Sequence, residues 1–418
     1  MHDSANQRIA TTTAAPATAE IVVGVPSCNH AATVAQVLRT AQAGLAEFFG
    51  GHSSMLVSAD VNSTDATRAQ VRALREENSL LRELGLADDT AGTARPGVEM
   101  RELRMILELA REVRARACLV LDASVTSMGA DWVAQLVRPI LDDQFDIVAP
   151  CFARHKLDGA ISNGIVYPLT RSLYGKRVRQ PLGSVFALSG RLVERFLTRR
   201  VWDIEVSALS ADARAVSEAI CGDFSVCQAF LGPAEHAASA SSLDLSSILA
   251  AVLGSVFDEM NHNVSFWQKV RGSEPVRWFG APVEIAGDPP PVDVHKMWES
   301  FRLGCRTLQE VWSAVLPPAT LLALKYLAKD DAATLADDLW ARIVYDFALG
   351  YRLHVMNRGH LLRALTPLYL GWLASFVREM SAAPAQQVER RVQQLSMVYE
   401  AQKPYLISRW RWPDRFNP

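Results

Sequence analysis

Four short β-branched or apolar runs alternate with longer amphipathic stretches over the first 150 residues, and this alternation constrains the fold most. The runs are Ile21-Val22-Val23-Gly24-Val25-Pro26, Met55-Leu56-Val57, Ala117-Cys118-Leu119-Val120-Leu121 and Phe145-Asp146-Ile147-Val148-Ala149. Between them, Thr33–Phe49 carries Val34, Val37, Leu38, Ala41, Leu45 and Phe48 near helical spacing. Further helices are expected from about Asp65 and over Glu99–Arg116. Buried strands separated by helices of ten or more residues imply a mostly parallel α/β sheet. Ligands of such sheets bind beyond the carboxyl ends of the strands. Pro26–Asn29, Asp60 and Asp122 all fall at such ends.

From about Ser239 the pattern becomes helical: Leu243–Met260, His295–Val315, Ala319–Leu327, Ala333–Leu349, His360–Met380 and Arg390–Gln402. The expected organisation is therefore a disordered Ala/Thr-rich tail (1–19), an α/β domain (20–238) and an all-helical domain (239–418). A chain of 418 residues is consistent with two or three domains. The tail lacks the apolar core of a signal peptide, no run of about 18 apolar residues offers a membrane span, and a cytoplasmic location is expected. Six scattered cysteines without a C-x-x-C pair fit free thiols in a reducing compartment. A net charge of −2 argues against nucleic acid as a partner, because that affinity comes from clustered Lys and Arg. The aromatic-rich helical domain could supply a homodimer interface.

Several residue groups could carry chemistry. Asp60 and Asp122 could accept hydrogen bonds from a ribose or base, or ligate a divalent ion bridging a diphosphate. The bland alternative is that strand-end Asp simply caps a turn or helix. The run from Arg154-His155-Lys156 through Asp158-Gly159 to Ser162-Asn163, followed by Arg171, Lys176, Arg177 and Arg179, suits a small anion. It reads equally as a solvated loop with a positive helix end. In Trp202-Asp203-Ile204-Glu205 a carboxylate could serve as a base or stabilise positive charge, although most such pairs are surface residues. His236 is a lone histidine, a class that is usually not a metal ligand. Ser27-Cys28 lacks the partners of a nucleophilic cysteine beyond His30.

Several of these segments together resemble GT-A-fold glycosyltransferases of the mannosylglycerate and glucosylglycerate synthase type, which include glucosyl-phosphoglycerate synthases. The resemblance is carried by Val23–Thr33, by Asn62–Thr67, and by Asp122-Ala123-Ser124-Val125-Thr126-Ser127 with Asp131-Trp132. It continues from Arg154-His155-Lys156 through Tyr167–Arg171 to Gln180–Gly183, and includes Ala341–Phe347 and Leu365–Gly371 in the helical half. It implies a GT-A-like domain followed by helices. It implies transfer of a hexose from a nucleotide diphosphate sugar to glycerate, phosphoglycerate or a similar small hydroxy acid, as in the making of a compatible solute. On this resemblance Pro26 and Asp60 hold the nucleoside, and Asp122 opens the D-x-D element. Arg154, Asp158 and Ser162 line the acceptor side, Glu205 takes the place of the family's reacting-centre acid, and His236 joins Asp122 in the shell of a Mg or Mn ion.

Three positions depart from the family pattern, all on the donor side. Asp122-Ala123-Ser124 has a hydroxyl where the second D-x-D acid belongs, which weakens a hard-cation site. Gly97-Val98-Glu99-Met100 places a carboxylate where the family has a lysine, and Gly183-Ser184-Val185 lacks a further acid. Two readings remain open: a transferase that neutralises diphosphate with Lys176, Arg177 or Arg179 in place of a metal, or a catalytically degenerate paralogue acting as a binding or regulatory protein.

Overall fold

The computed structural model describes residues 9–11, 18–86, 98–198, 211–237, 244–282, 292–330 and 332–413. Its strands are β1 (Ile9–Thr11), β2 (Ile21–Pro26), β3 (Ser54–Ala59), β4 (Leu81–Leu86), β5 (Ala117–Val120), β6 (Ile147–Ala153), β7 (Phe186–Ser189), β8 (Val226–Pro233) and β9 (Arg277–Phe279). They form one sheet in the order β1-β4-β3-β2-β5-β7-β6-β8-β9. The pairs β2–β3, β2–β5, β3–β4, β6–β8 and β8–β9 are parallel; β7 runs antiparallel to both β5 and β6, and β1 antiparallel to β4. The expected mostly parallel sheet is therefore present. Within the expected tail, residues 9–11 are β1, and 1–8 and 12–17 lie outside the described residues. Asp60 and Asp122 follow β3 and β5, which flank β2 on either side.

The chain divides into two units. The first comprises 1–153, 182–240 and 276–283; the second comprises 154–181, 241–275 and 284–418. The sequence boundary at 238 lies beside one crossing between them. It misses the crossings at 153, 181, 275 and 283, so the run from Arg154 to Ser162 belongs to the second unit.

In the first unit, helices α1 (Val34–Phe49), α2 (Thr67–Glu77), α3 (Val98–Glu112) and α4 (Asp131–Leu141) follow β2, β3, β4 and β5. Ile21, Val23 and Val25 of β2 share a core with Val34, Val37, Leu38, Ala41 and Leu45 of α1 and with Trp132, Val133, Leu136 and Val137 of α4. Gly44 lets α1 approach α4: a Cβ there would sit 2.5 Å from the Ala130 carbonyl oxygen. On the opposite face Gly24 lies against Ile106 of α3, where a Cβ would come within 2.3 Å. With helices on both faces β2 must be apolar on both, which explains its unbroken run.

The second unit begins after Ala153 with a π-helical turn, Ser162–Val166, leading into α5 (Tyr167–Tyr174). Helices α6 (Gly190–Leu197) and α7 (Ala211–Cys221) return to the first unit. The second unit resumes with α8 (Leu245–His262), α9 (Val264–Trp267), α10 (Val294–Thr307), α11 (Gln309–Ser313), α12 (Pro318–Leu327), α13 (Asp337–Leu353), α14 (Arg358–Ala364), α15 (Thr366–Met380) and α16 (Ala385–Arg411). Two expected helices are split. The 295–315 pattern breaks at Leu308, and the 360–380 pattern breaks at Leu365, ahead of Pro367, which supplies no backbone N–H and suits a helix start.

The π turn is anchored by aromatic residues of this unit. Trp340 Nε1 donates to the Gly164 carbonyl at 2.9 Å, and Tyr399 Oη donates to it at 3.2 Å. Trp340 stacks on Trp372 with centroids 5.8 Å apart, and Trp372 on Phe376 at 5.3 Å. A Cβ at Gly164 would lie 2.2 Å from Trp372, so only glycine fits there. We predict that Gly164→Ala lowers the unfolding free energy by about 1–3 kcal/mol, the usual cost of overpacking a core. Urea unfolding followed by tryptophan fluorescence measures this directly, and an unchanged midpoint would contradict the anchoring role of the turn.

Candidate functional site

The loops after β2 and β3 are bound to each other by side chains. Ser27 N donates to the Ala59 carbonyl at 2.9 Å, continuing the β2–β3 ladder beyond Pro26, the last residue of β2. Asn29, with φ +59, accepts at Oδ1 from the Thr64 and Asp65 amides at 2.8 and 3.3 Å. The amides of Asn29, His30 and Ala31 donate to Ser63 Oγ (2.8 Å), Thr67 Oγ1 (2.8 Å) and Asp65 Oδ2 (3.1 Å). Asp65 also accepts from the Thr67 hydroxyl. Burial alone would raise the Asp65 carboxyl, but the Thr67 and Ala31 donors outweigh it and hold the group below its ordinary value. The three amides are thus satisfied internally, and the loop does not present them as a free phosphate cradle.

Asp60 is buried and just as engaged. Its Oδ1 accepts from the Ser63 amide at 2.9 Å and from Arg68 Nε at 3.2 Å, while Ser27 Oγ lies 3.4 Å from Oδ2. Arg68 also donates to the Val61 carbonyl at 2.6 Å. The strand-end carboxylate therefore closes the turn into α2, the bland role weighed above, with Oδ2 the less committed oxygen.

Asp122 lies one residue beyond Leu121, whose amide donates to the Gly24 carbonyl at 2.9 Å. The amide and hydroxyl of Ser124 both donate to Asp122 Oδ1 at 2.7 Å, and the Ser184 hydroxyl donates to Oδ2. His236 Nδ1 is 3.0 Å from Ser124 Oγ and 3.7 Å from Asp122 Oδ2. Residues 233–237 are strapped to the loop 124–127: Ala237 N donates to the Ser124 carbonyl at 2.9 Å, Thr126 N to Glu235 O at 2.8 Å, and Ser127 Oγ to Pro233 O at 2.9 Å. The Thr33 hydroxyl at the start of α1 donates to the Ala123 carbonyl at 2.6 Å, tying this loop to the β2 loop. Burial would raise Asp122, but the Ser184 and Ser124 donors and the nearby His236 hold it below its ordinary value. The side chains remain reachable, at 16% exposure for Asp122 and 48% for His236.

The structure therefore places His236 Nδ1 3.7 Å from Asp122 Oδ2. Among the described residues no group of three or more His, Cys, Asp or Glu is placed to hold a metal ion. One carboxylate and one imidazole fit a divalent cation only as two of its ligands, with water and ligand oxygens completing the shell. Ser184 was marked in the sequence by a missing acid, and its hydroxyl turns out to be a direct partner of Asp122. Arg68 as the partner of Asp60 was not anticipated; its place in the first turn of α2, eight residues on, is the only sequence signal.

Arg154, Asp158 and Ser162 lie in the second unit. Arg154 is exposed and packs beside Gly159, whose φ of +68 suits glycine; Asp158 is also exposed. The Asp158 amide donates to His155 O at 2.9 Å, and its carbonyl accepts from Asn163 Nδ2 at 3.0 Å. The buried Ser162 Oγ has no hydrogen-bond partner among the described residues. Lys156 caps the end of α15, donating to Ser381 O and Ala383 O at 2.7 and 2.8 Å. The cations considered for a metal-free diphosphate site already have partners in this unit: Lys176 with Glu274, Arg177 with Ser273, and Arg179 with Glu389 at 2.8 Å. Glu205 and Glu99 lie outside the residues whose side chains are described.

No protein-family model matches the chain, and no curated protein does. Among solved structures, the chain is similar to glucosyl-3-phosphoglycerate synthase from Mycobacterium tuberculosis. With that enzyme in complex with phosphoglyceric acid the identity is 18%, over 58% of this chain and 79% of the other, at a TM-score of 0.43. With its complex containing Mn²⁺, uridine diphosphate and glucosyl-3-phosphoglycerate it is 17%, with the same coverages and TM-score. With its complex containing Mn²⁺, uridine-diphosphate-glucose and glycerol 3-phosphate it is 16%, again over 58% and 79%, at a TM-score of 0.42. No helix among the described residues is long and apolar enough to cross a membrane.

The depressed Asp122 carboxyl yields a pH prediction. A group whose pKa is lowered by folding stabilises the fold above its ordinary value, here 3.8, and loses that contribution as pH falls below it. Asp122→Asn should therefore be less stable than the parent near neutrality, with the gap closing as the pH drops below that value. Paired urea titrations across the acid range measure the gap, and a gap independent of pH would contradict the assignment.

Proposed function

We propose that the chain is a nucleotide-sugar-dependent hexosyltransferase acting on glycerate, phosphoglycerate or a similar small hydroxy acid. The observation that carries this reading is the Asp122 cluster: an ionised, partly exposed carboxylate at a strand carboxyl end, fixed by Ser124 and Ser184 beside His236. An acceptor-only group held in one rotamer suits the vicinal hydroxyls of a ribose. The motif resemblance extends this to the other residues. Pro26 and Asp60 would bound the nucleoside side, with Asp60 Oδ2, the less committed oxygen, as the acceptor. Arg154, Asp158 and Ser162 would receive the acceptor, where a guanidinium matches a carboxylate or phosphate. Glu205 would stand at the reacting centre.

Asp122 alone would repel a diphosphate, so its charge must be offset when the donor binds. A Mg or Mn ion arriving with the diphosphate would supply that neutralisation, with Asp122 and His236 as the protein's ligands and the nucleotide providing others. The engagement of Lys176, Arg177 and Arg179 within the second unit argues against their serving instead. A second reading draws on one observation: both Asp122 oxygens already accept hydroxyl hydrogen bonds, which takes up part of their capacity for a cation or a ribose. That favours a degenerate transferase acting as a binding or regulatory protein.

Calorimetry with UDP-glucose and GDP-mannose, in Mn²⁺ and in EDTA, separates the two. The transferase reading expects one donor to bind in Mn²⁺, and Asp122→Asn to weaken it by tenfold or more, about 1.4 kcal/mol. Ser124→Asp removes a donor to Asp122 and adds a like charge beside it. It should destabilise the fold in EDTA and raise donor affinity in Mn²⁺. Absence of binding to any nucleotide sugar, with or without metal, would overturn the transferase reading.

A further inference from the structure

A separate feature of the second unit has no role in this chemistry. Helices α10 and α12 border a cavity of about 600 Å³ lined by Arg302, Cys305, Arg306, Leu322, Lys325, Tyr326, Ala328 and Lys329. Four of the eight are cations and none is an acid. Arg302 and Arg306 repeat at i, i+4 on α10; Lys325 and Lys329 repeat at the same interval across the end of α12. Such like-charged pairs disfavour a helix, so the arrangement works against the fold unless something negative offsets it. Arg302 has Glu299 at 3.1 Å, but among the described residues no carboxylate pairs with Arg306, Lys325 or Lys329. Lys329 lies instead 5.4 Å from the ring of Tyr326.

The same wall carries exposed apolar surface. Tyr326 is 63% exposed and Leu322 54%, one helical turn apart. Cys305 Sγ lies 3.9 Å from the Leu324 carbonyl, linking the two helices, and burial pushes its thiol up to about 12, so it adds no negative charge to the cavity at physiological pH. A cleft of one charge sign concentrates counter-ions, and guanidinium forks match phosphate oxygens. The volume is that of a small-molecule site, about 300–1,000 Å³.

We propose that this cavity binds a phosphate-bearing anion with an apolar body, its phosphate held by Arg306, Lys325 and Lys329 and its body lying on Leu322 and Tyr326. The test uses the full chain and octyl phosphate, with octyl glucoside as the uncharged control of equal chain length. Calorimetry should detect octyl phosphate and not octyl glucoside. Because Arg306 and Lys325 are exposed, the double variant Arg306→Gln/Lys325→Gln should fold normally while weakening octyl phosphate by tenfold or more. Co-sedimentation with phosphatidylcholine vesicles, with and without phosphatidylglycerol, then separates the sources of the phosphate. Variant-sensitive pelleting on the anionic vesicles assigns a lipid headgroup; binding of octyl phosphate without pelleting assigns a soluble ligand. No binding of octyl phosphate, equal affinity for octyl glucoside, or an unchanged affinity in the double variant would overturn the proposal.

Discussion

Parallel pairing of β2 on both edges is the constraint from which the candidate donor site follows. β2 bonds β3 from Ile21–Ser54 to Pro26–Ala59 and bonds β5 from Ile21–Ala117 to Gly24–Val120. Because all three strands run the same way, their carboxyl ends coincide, and the chain must leave each of them at the same edge. The amides and carbonyls released there need partners. On the β3 side Asn29, Ser63, Asp65 and Thr67 supply them; on the β5 side Thr33, Asp122 and Ser124 do. The polar residues that a sequence comparison would mark as functional are thus first the residues that make these strand ends possible. A ligand can use only the capacity that remains.

That remaining capacity differs between the two carboxylates. Asp60 is buried against Arg68, and its charge is balanced within the fold. Among the described residues no guanidinium contacts Asp122; hydroxyls and one amide solvate it, with an exposed imidazole nearby. Hydroxyls stabilise an anion without cancelling its charge, so Asp122 keeps a field that a cation or a sugar hydroxyl can still meet. Where the motif resemblance expects a second acid, Ser124 pairs with Asp122 as donor to acceptor, with no like charge beside it at that position.

The alternation of β-branched runs with amphipathic stretches made β2, β3, β5 and β6 legible, because strands covered on both faces must be apolar throughout. β4, Leu-Arg-Glu-Leu-Gly-Leu, was not read because it carries two charges and lies toward the sheet edge, next to the three-residue β1. The Asp122–His236 encounter could not follow from spacing, since 114 positions separate them; only the motif resemblance anticipated it. Asp60 was correctly placed at a strand end, but its engagement with Arg68 depends on where α2 begins, which propensity places only within a few residues. The helix breaks at Leu308 and Leu365 were hidden by apolar periodicity that continues across them.

The interleaving of the two units explains why a single boundary could not be read. Residues 154–181 leave the sheet after β6 and are anchored within the helical unit by groups from late in the chain. Arg171 meets Glu400 at 2.7 Å and Gln393 at 2.6 Å, and the buried Lys403 donates to the Ser172 carbonyl at 2.5 Å, closing the end of α5. Burial lowers the Lys403 ammonium to about 8, a cost accepted because three carbonyls converge on it. A chain cut near residue 240 would leave Ile165, Val166, Leu169 and Leu173 without α13 and α16, exposing a face that is apolar only because those helices cover it. The segment read as an acceptor loop is thus anchored by residues 176 to 235 positions away. Its polar side chains, Arg154, Asp158 and Ser162, owe their placement to the aromatic and lysine contacts that hold the π turn and α5.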